Sequence, residues 1–148
     1  MASGQDPSDP KWVHVREWRE PEQLIRVSAD AEDRGAVYFS GAGSMAGARA
    51  LTELLDELRA LIGTDKRFVA IVDLRDLAGA PLRAQFHIGK WLFARKRQIE
   101  RVAVFGGRPF EMRIARAVMK IARMREASFF DSLDDALRWL GWGRTVYP

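Results

Sequence analysis

One apolar run constrains the fold of this 148-residue chain more than any other feature. Residues 68–72 read Phe-Val-Ala-Ile-Val, and such a run, rich in β-branched residues, is typical of a strand buried on both faces of a parallel sheet. The chain then continues through a polar segment to Gly79 and Pro81, and proline favours the first position of a helix. We therefore expect a central strand that leads through a tight turn into a helix.

Three further strand-like segments come before this run. Residues 12–18 alternate apolar and polar side chains, which puts Val13 and Val15 together on one side of a half-buried strand. Residues 24–27 read as its antiparallel partner, and residues 36–39 as a third strand. The sheet is therefore expected to begin with an antiparallel hairpin or meander.

Helical periodicity follows the third strand and the central strand. The first helix has one apolar stripe between residues 48 and 62, with Ser44 as its N-cap and Gly63 at its C-terminus. The second helix is predicted from Pro81 to about Gln98. Its candidate buried residues are Leu82, Phe86, Ile88, Trp91, Leu92 and Phe93.

The rest of the chain repeats the alternation of strand and helix. Residues 101–105 and 127–130 read as short strands, the third helix begins at Pro109, and Asp131 or Ser132 caps a final helix that Gly141 ends. The inward-facing residues of the third helix are predicted to be Phe110, Ile114, Ala117, Val118 and Ile121. This order predicts a single α/β domain with a mixed, mostly parallel sheet and about four helices.

Length and composition set the remaining limits. A chain of this size fits one domain, and the polar residues 1–10 predict a disordered tail before a domain spanning residues 11–148. The absence of cysteine excludes disulfides, thiolate metal sites and cysteine nucleophiles, and it fits a reducing cytoplasm. No apolar run is long enough to cross a bilayer, so we expect a cytoplasmic protein.

Positive charge is concentrated in the second half of the chain. Residues 78–126 carry 12 basic and three acidic side chains, whereas residues 1–77 carry 10 and 14. In the third helix, Arg113, Arg116, Lys120 and Arg123 fall on one stripe. Such a face can bind an acidic protein, phosphates or anionic lipid, or it can be an ordinary solvated surface, and the sequence leaves these alternatives open.

Three pieces of the chain carry a family resemblance. They are FVAIVDLRDLAGAP at residues 68–81, ERVAVFGG at residues 100–107 with the helix that follows, and SFFDSLDDALRWLGW at residues 128–142. Together they resemble the SpoIIAA-like branch of the STAS superfamily, whose fold is also compared with the CRAL-TRIO lipid-transfer domain. The resemblance implies a mixed sheet flanked by helices and a non-enzymatic, regulatory or partner-binding role in the bacterial cytoplasm.

One departure from the family pattern concerns phosphorylation. Anti-sigma antagonists of this superfamily carry a phosphorylatable serine in an Asp-Ser-Ser-Gly motif after the central strand. Here the matching place reads Asp76-Leu77-Ala78-Gly79, so the phosphorylation switch is not expected. The resemblance therefore implies a protein partner, and its CRAL-TRIO side leaves a carrier or sensor of a lipid or small anionic ligand as the alternative.

The strand-to-helix turns form the candidate ligand site. They are expected to meet at the carboxyl edge of the sheet, where open α/β sheets bind ligands and helix N-termini favour anions. The candidate residues are Gly41, Gly43, Ser44, Asp76, Gly79, Gly106, Gly107 and Arg108. The same glycines would equally serve tight turns, and their spacing does not match a dinucleotide fingerprint, so no cofactor is predicted.

The sequence shows no catalytic or metal-binding constellation. Asp73 and Asp76 are interpreted as structural partners of Arg75 and Arg83, and His14 and His87 have no metal-ligand spacing. No strained nucleophile elbow is present. We therefore predict a protein without catalytic residues and without a metal site.

Nucleic-acid binding is not expected, because most aromatic residues fall in core-like patterns. A homodimer, formed through an edge strand or an apolar surface around Trp139 and Trp142, stays open.

Overall fold

A six-stranded sheet lies at the centre of the computed structural model, which describes residues 11–143. Its strands are β1 (His14–Glu20), β2 (Gln23–Ala29), β3 (Arg34–Gly41), β4 (Phe68–Leu77), β5 (Ile99–Phe105) and β6 (Ala127–Phe130). The helices are α1 (Met45–Ile62), α2 (Leu82–Arg95), α3 (Pro109–Ile121) and α4 (Leu133–Leu140). The predicted tail, residues 1–10, lies outside the described residues, as do residues 144–148.

The strands lie side by side in the same order as along the chain. β1 pairs with β2 and β2 with β3 in antiparallel fashion, whereas β3, β4, β5 and β6 are parallel to one another. This confirms the prediction of a mixed, mostly parallel sheet with an antiparallel start. It also confirms that β4 is an interior strand with parallel neighbours on both sides.

The strand order decides where the helices lie. Connections between parallel strands are nearly always right-handed, and three successive connections that step in one direction place their helices on the same face of the sheet. Accordingly α2 packs between α1 and α3 on this face, which we call the helix face. α4 follows the last strand and packs against β5 and β6 on the opposite face.

Each face of the sheet has its own apolar core. On the α4 side, Ile71 and Phe105 are almost completely buried beneath Leu137 and Leu140. On the helix face, Ile25 and Val27 pack against α1, and a second cluster joins β4 and β5 to α3. Burial of each large apolar side chain contributes about 1.5–3 kcal/mol, so the two cores supply most of the stability.

The predicted caps of α1 and α4 are confirmed. Ser44 Oγ accepts a hydrogen bond from the backbone N–H of Gly47 at 2.9 Å, and Ser132 Oγ accepts one from Asp135 at 3.2 Å. Gly141 ends α4 in the left-handed conformation, with φ of 72°. α2 is shorter than predicted at both ends: Pro81 is its N-cap and not its first helical residue, and residues 96–98 form a separate 3₁₀ turn.

Several apolar residues predicted to be buried are exposed. Leu82, Phe86 and Phe93 of α2 are 64%, 46% and 44% exposed, and Phe110 of α3 is 59% exposed. The prediction for α2 was wrong because this helix turns Ala84 and Gly89, not its largest side chains, towards its neighbours. The prediction for Phe110 was wrong because α3 buries Met112, Ile114 and Val118 instead.

The two faces of β1 also differ from the simplest interpretation of its sequence. Val13 and Val15 share one side as predicted, but that side is exposed. The side that carries Trp18 is the partly covered one, since Trp18 packs against the apolar cluster under α1.

Candidate functional site

An apolar cavity of about 200 Å³ lies between the helix face of the sheet and helices α1, α2 and α3. Phe68, Ala70 and Val72 of the central strand line it from the sheet, and Ile88 and Leu92 line it from α2. These five side chains are only partly buried although they belong to the interior of the fold. These side chains are thus less completely packed than Leu74 and Leu77 of the central strand, which are buried in the cluster with Met112 of α3.

The cavity lies beneath α2, which packs mainly against its neighbouring helices and makes few contacts with the sheet. Only Ala84 and Gly89 of α2 are fully buried. A Cβ atom at Gly89 would overlap Ile121 of α3, so glycine is what allows these two helices to approach. α2 thus packs closely on α3, while it makes few contacts with the sheet.

A polar cluster joins α2 to α1. The carboxylate of Asp56 accepts hydrogen bonds from Trp91 Nε1 at 3.2 Å, from Arg95 Nε at 3.0 Å and from Arg59 Nη1 at 3.1 Å. We call these four residues the Asp56 cluster. It is partly exposed to solvent, so α2 is held on this side by polar contacts and not by a deep apolar seam.

A second polar link between the two helices involves a histidine. Thr52 is buried, and its Oγ1 lies 3.0 Å both from the carbonyl oxygen of Arg49 and from His87 Nε2. His87 therefore has a structural role in fastening α2.

The cavity wall offers little to a polar ligand. Gln23 Oε1 accepts a hydrogen bond from Ser44 Oγ at 2.8 Å, and Gln85 Nε2 donates one to the carbonyl of Ala80 at 3.0 Å. Arg59 also lines the cavity, and its Nε is buried without a hydrogen-bond partner in the described part of the chain. Ser28 also lines the cavity, and its Oγ is likewise buried without a hydrogen-bond partner in the described residues. The cavity therefore suits a mostly apolar molecule with few polar atoms.

The glycine turns do meet at the carboxyl edge of the sheet. Gly41, Gly79 and Gly106 all have positive φ, of 85°, 79° and 83°, and each follows or ends a parallel strand. The N–H of Gly43 donates to the carbonyl of Gly79 at 3.0 Å, and the N–H of Ala78 donates to Gly41 at 2.9 Å. These backbone groups bind one another, which accounts for the glycines without a ligand.

The other candidate residues of this edge are engaged as well. Arg108 Nε donates to Glu111 Oε1 at 3.0 Å, and the Glu111 carboxylate is buried at the first turn of α3. Gly107 packs closely on Leu74 and Met112, while Gly106 lies against Arg75 and donates its N–H to Phe130. Anion binding at this edge stays a prediction.

The two carboxylates after the apolar run have separate surroundings. Asp73 is completely buried, and it accepts hydrogen bonds from the backbone N–H and the guanidinium of Arg75. Asp76 accepts a hydrogen bond of 2.5 Å from the Tyr38 hydroxyl. Burial, and secondly this hydrogen bond, raises the pKa of Tyr38 above its ordinary value.

The basic stripe of α3 borders a second depression, of about 350 Å³, between α3 and the edge strand β6. Arg116, Lys120 and Arg123 line it, joined by Arg125, whereas Arg113 is exposed on α3 outside it. Arg125 was not recognised in the sequence because its spacing does not place it on the helical stripe of Arg113, Arg116, Lys120 and Arg123. We call this depression the β6 groove.

Trp139 and Trp142 are half-buried against the core beneath α4. Trp142 packs edge-on against Trp12 with 6.4 Å between ring centroids, and the guanidinium of Arg101 lies 5.1 Å from the Trp139 ring. The dimer surface predicted around these rings is therefore largely used within the chain. Homodimerisation itself stays a prediction.

No described helix has the length and apolarity needed to span a bilayer. Among residues 11–143, no three histidine or acidic side chains lie close enough together to hold a metal ion.

The geometry can be compared with known proteins. The model of the SpoIIAA-like family matches residues 35–141 of the chain. A solved structure of an uncharacterised protein with a SpoIIAA-like fold, from Shewanella loihica PV-4, is 23% identical, with a TM-score of 0.57; the match covers 86% of this chain and 92% of that one. No curated protein matches the sequence.

An anti-sigma factor antagonist from Mycobacterium paratuberculosis has the same fold. It is 16% identical, with a TM-score of 0.53, over 92% of this chain and 97% of the other. These similarities establish the architecture.

Proposed function

Because the chain belongs to the SpoIIAA-like family, we propose that this STAS-like domain is a cytoplasmic, non-enzymatic regulatory module that holds a small apolar ligand and acts on a protein partner. The single observation that carries the ligand is the apolar cavity beneath α2. The family and its anti-sigma antagonist neighbour support the partner.

The cavity volume limits the size of the ligand. An engineered apolar cavity of about 150 Å³ holds benzene, whereas pockets for drug-sized molecules measure about 300–1,000 Å³. A volume of about 200 Å³ therefore fits one or two aromatic rings or a short acyl chain. Among the lining residues, Arg59 and Ser28 each have one side-chain atom without a hydrogen-bond partner in the described residues, so a carboxylate or hydroxyl on such a molecule would bind near one of them.

The way α2 is attached would let a ligand in the cavity affect the outer surface of the domain, where a protein partner binds. A molecule in the cavity would add apolar contacts to Ala70, Val72 and Leu92, which are only partly buried, so occupancy would stabilise the packing of α2 over the sheet. In this chain such an input would take the place of phosphorylation, because the segment from Asp76 to Gly79 contains no hydroxyl side chain.

The test measures thermal stabilisation and affinity for octanoate and 2-naphthol, with octylamine as a comparator that lacks an acceptor. We expect a rise in Tm that grows with the concentration of octanoate or 2-naphthol, and weaker binding of octylamine. Ala70→Leu fills the cavity and should weaken binding about tenfold or more, whereas Ala94→Leu, at an exposed position of α2, should leave it unchanged.

Two results would contradict the proposed ligand. One is a Tm that does not respond to either probe. The other is equal weakening by the two leucine variants, which would show that the probes bind the outer surface of the helix.

A further inference from the structure

We propose that the β6 groove binds an extended acidic segment of a partner protein, which adds as a seventh strand to the sheet beside β6. This inference rests on the part of the proposed function that assigns a protein partner, and it says what kind of protein segment that partner presents. It does not depend on the apolar cavity.

The open edge of β6 supplies the first argument. β6 is the last strand of the sheet, and its four residues are all half-exposed. The carbonyls of Glu126 and Phe130 accept hydrogen bonds from Val102 and Gly106 on the β5 side. Since backbone groups alternate along a strand, the N–H and C=O groups of Ala127 and Phe129 face the open edge, where an added strand can pair with them.

The charges beside this edge supply the second argument. None of the four groove cations, Arg116, Lys120, Arg123 and Arg125, forms an ion pair within residues 11–143. In α3 itself the one acidic residue, Glu111, is buried and paired with Arg108. The groove is therefore a site of positive charge that the described chain does not neutralise.

The floor of the groove is apolar and orders one of these cations. Met119, Met124 and Phe129 line it between the basic side chains, and the guanidinium of Arg116 lies 4.5 Å from the centroid of the Phe129 ring. Stacking on a ring fixes a guanidinium while its N–H groups stay available for a carboxylate. The side chain of Arg116 is thus already oriented at the strand edge.

These features together define the sequence pattern of the partner. Alternate side chains of an added strand point to the same face of the sheet, so every second residue would face α3 and its cations. An acidic residue at every second position meets this requirement, and the intervening residues should be β-branched. A lipid headgroup or a nucleic acid would satisfy the charges but not the backbone groups of Ala127 and Phe129.

The test uses the full chain and a fluorescein-labelled peptide that repeats Glu-Val-Glu-Thr. Fluorescence polarisation should show saturable binding, and the amides of Ala127 and Phe129 should shift in NMR spectra. Arg116→Glu with Lys120→Glu should weaken binding about tenfold or more, whereas the matched reversal Arg83→Glu with Lys90→Glu, at exposed positions of α2, should change it by less than about twofold.

A second peptide separates strand addition from simple charge attraction. Methylation of the backbone nitrogens along one edge removes hydrogen-bond donors without changing charge, and we expect about fivefold weaker binding for each donor lost from the pairing edge. Equal affinity of the methylated and unmodified peptides would overturn the proposal. The proposal would also be overturned if Arg116→Glu with Lys120→Glu abolished binding to phosphatidylserine vesicles or to oligothymidine but left peptide binding unchanged.

If the peptide does not bind, the proposal that the cavity holds a ligand is unaffected. Stabilisation by octanoate is measured without any peptide, so the two results can be told apart.

Discussion

The hydroxyl of Tyr38 donates a hydrogen bond of 2.5 Å to Asp76 Oδ2 and so joins the side chains of β3 and β4 just where the register of the two strands shifts. The bond marks the point at which the apolar run of β4 gives way to its polar end. It also makes Tyr38 a reporter of that edge of the sheet.

We expect Tyr38 to ionise at a higher pH than free tyrosine, because burial and the Asp76 hydrogen bond both favour its neutral form. Absorbance at about 295 nm, in a Tyr147→Phe background that leaves one tyrosine, measures this. Asp76→Asn should lower the pKa of Tyr38 only part of the way, since burial, the larger cause, remains. Asp135→Asn, in α4, should leave it unchanged.

The sign of the effect on stability follows from the same shift. The folded-state pKa is raised, so the contribution of Tyr38 to stability is complete below the unfolded-state value of about 10 and is lost as pH rises through the folded-state pKa. A midpoint at or below that of free tyrosine would contradict the geometry.

Replacement of Asp56 should loosen α2 selectively. Asp56→Ala leaves the Trp91 indole N–H and the Arg95 guanidinium without their shared acceptor, and the cost should be about 1 kcal/mol because the cluster is partly exposed. Amide hydrogen exchange should rise about fivefold in residues 82–95 and much less in α3. Uniform acceleration across all helices would show that Asp56 stabilises the whole domain instead.

Gly89→Ala tests the close contact between α2 and α3. Alanine improves helix propensity by about 1 kcal/mol, but its Cβ would overlap the branched Cβ of Ile121, and such overpacking costs about 1–3 kcal/mol. We expect a net loss of stability of about 1 kcal/mol in urea unfolding. The neighbouring exposed substitution Lys90→Ala should stay within about 0.5 kcal/mol of the wild type. A more stable Gly89→Ala variant would mean that the helices separate easily.

Arg123 combines backbone strain with a place in the β6 groove. It has φ of 54° at the end of α3, in a turn where Met124 N–H bonds to Met119 O at 3.0 Å, and glycine is favoured at such a position. Arg123→Gly should therefore raise the free energy of unfolding by about 1 kcal/mol and weaken acidic-peptide binding. Thermal denaturation and polarisation give the two values, and Arg125→Gly, which relieves no such strain, serves as the control.

The element order could be predicted from the sequence because its signals are local. The apolar run at residues 68–72, the cap at Ser44 and the glycine that ends α4 each depend on a few neighbouring residues. Phe86 and Phe110 were assigned to the core because helical spacing shows which residues share a stripe but not which stripe faces the sheet.

The cavity and the β6 groove could not be predicted, since both arise from distances between elements. The cavity depends on how α1, α2 and α3 pack over β4, and these elements are far apart in the chain. The groove combines α3 with a strand that follows it, so the stacking of Arg116 on Phe129 has no signature in local spacing. Basic residues at helical intervals predicted three of its four cations.

The strand order has a consequence for synthesis of the protein. Because spatial order equals chain order, each strand that leaves the ribosome meets an edge that its predecessor has just formed, and no strand must be inserted between two others. α4 is the exception, since Ile71 and Phe105 remain uncovered until it emerges. A nascent chain stalled after β5 would therefore expose the apolar face of the sheet that α4 later covers. We expect chaperone binding to be strongest at that chain length.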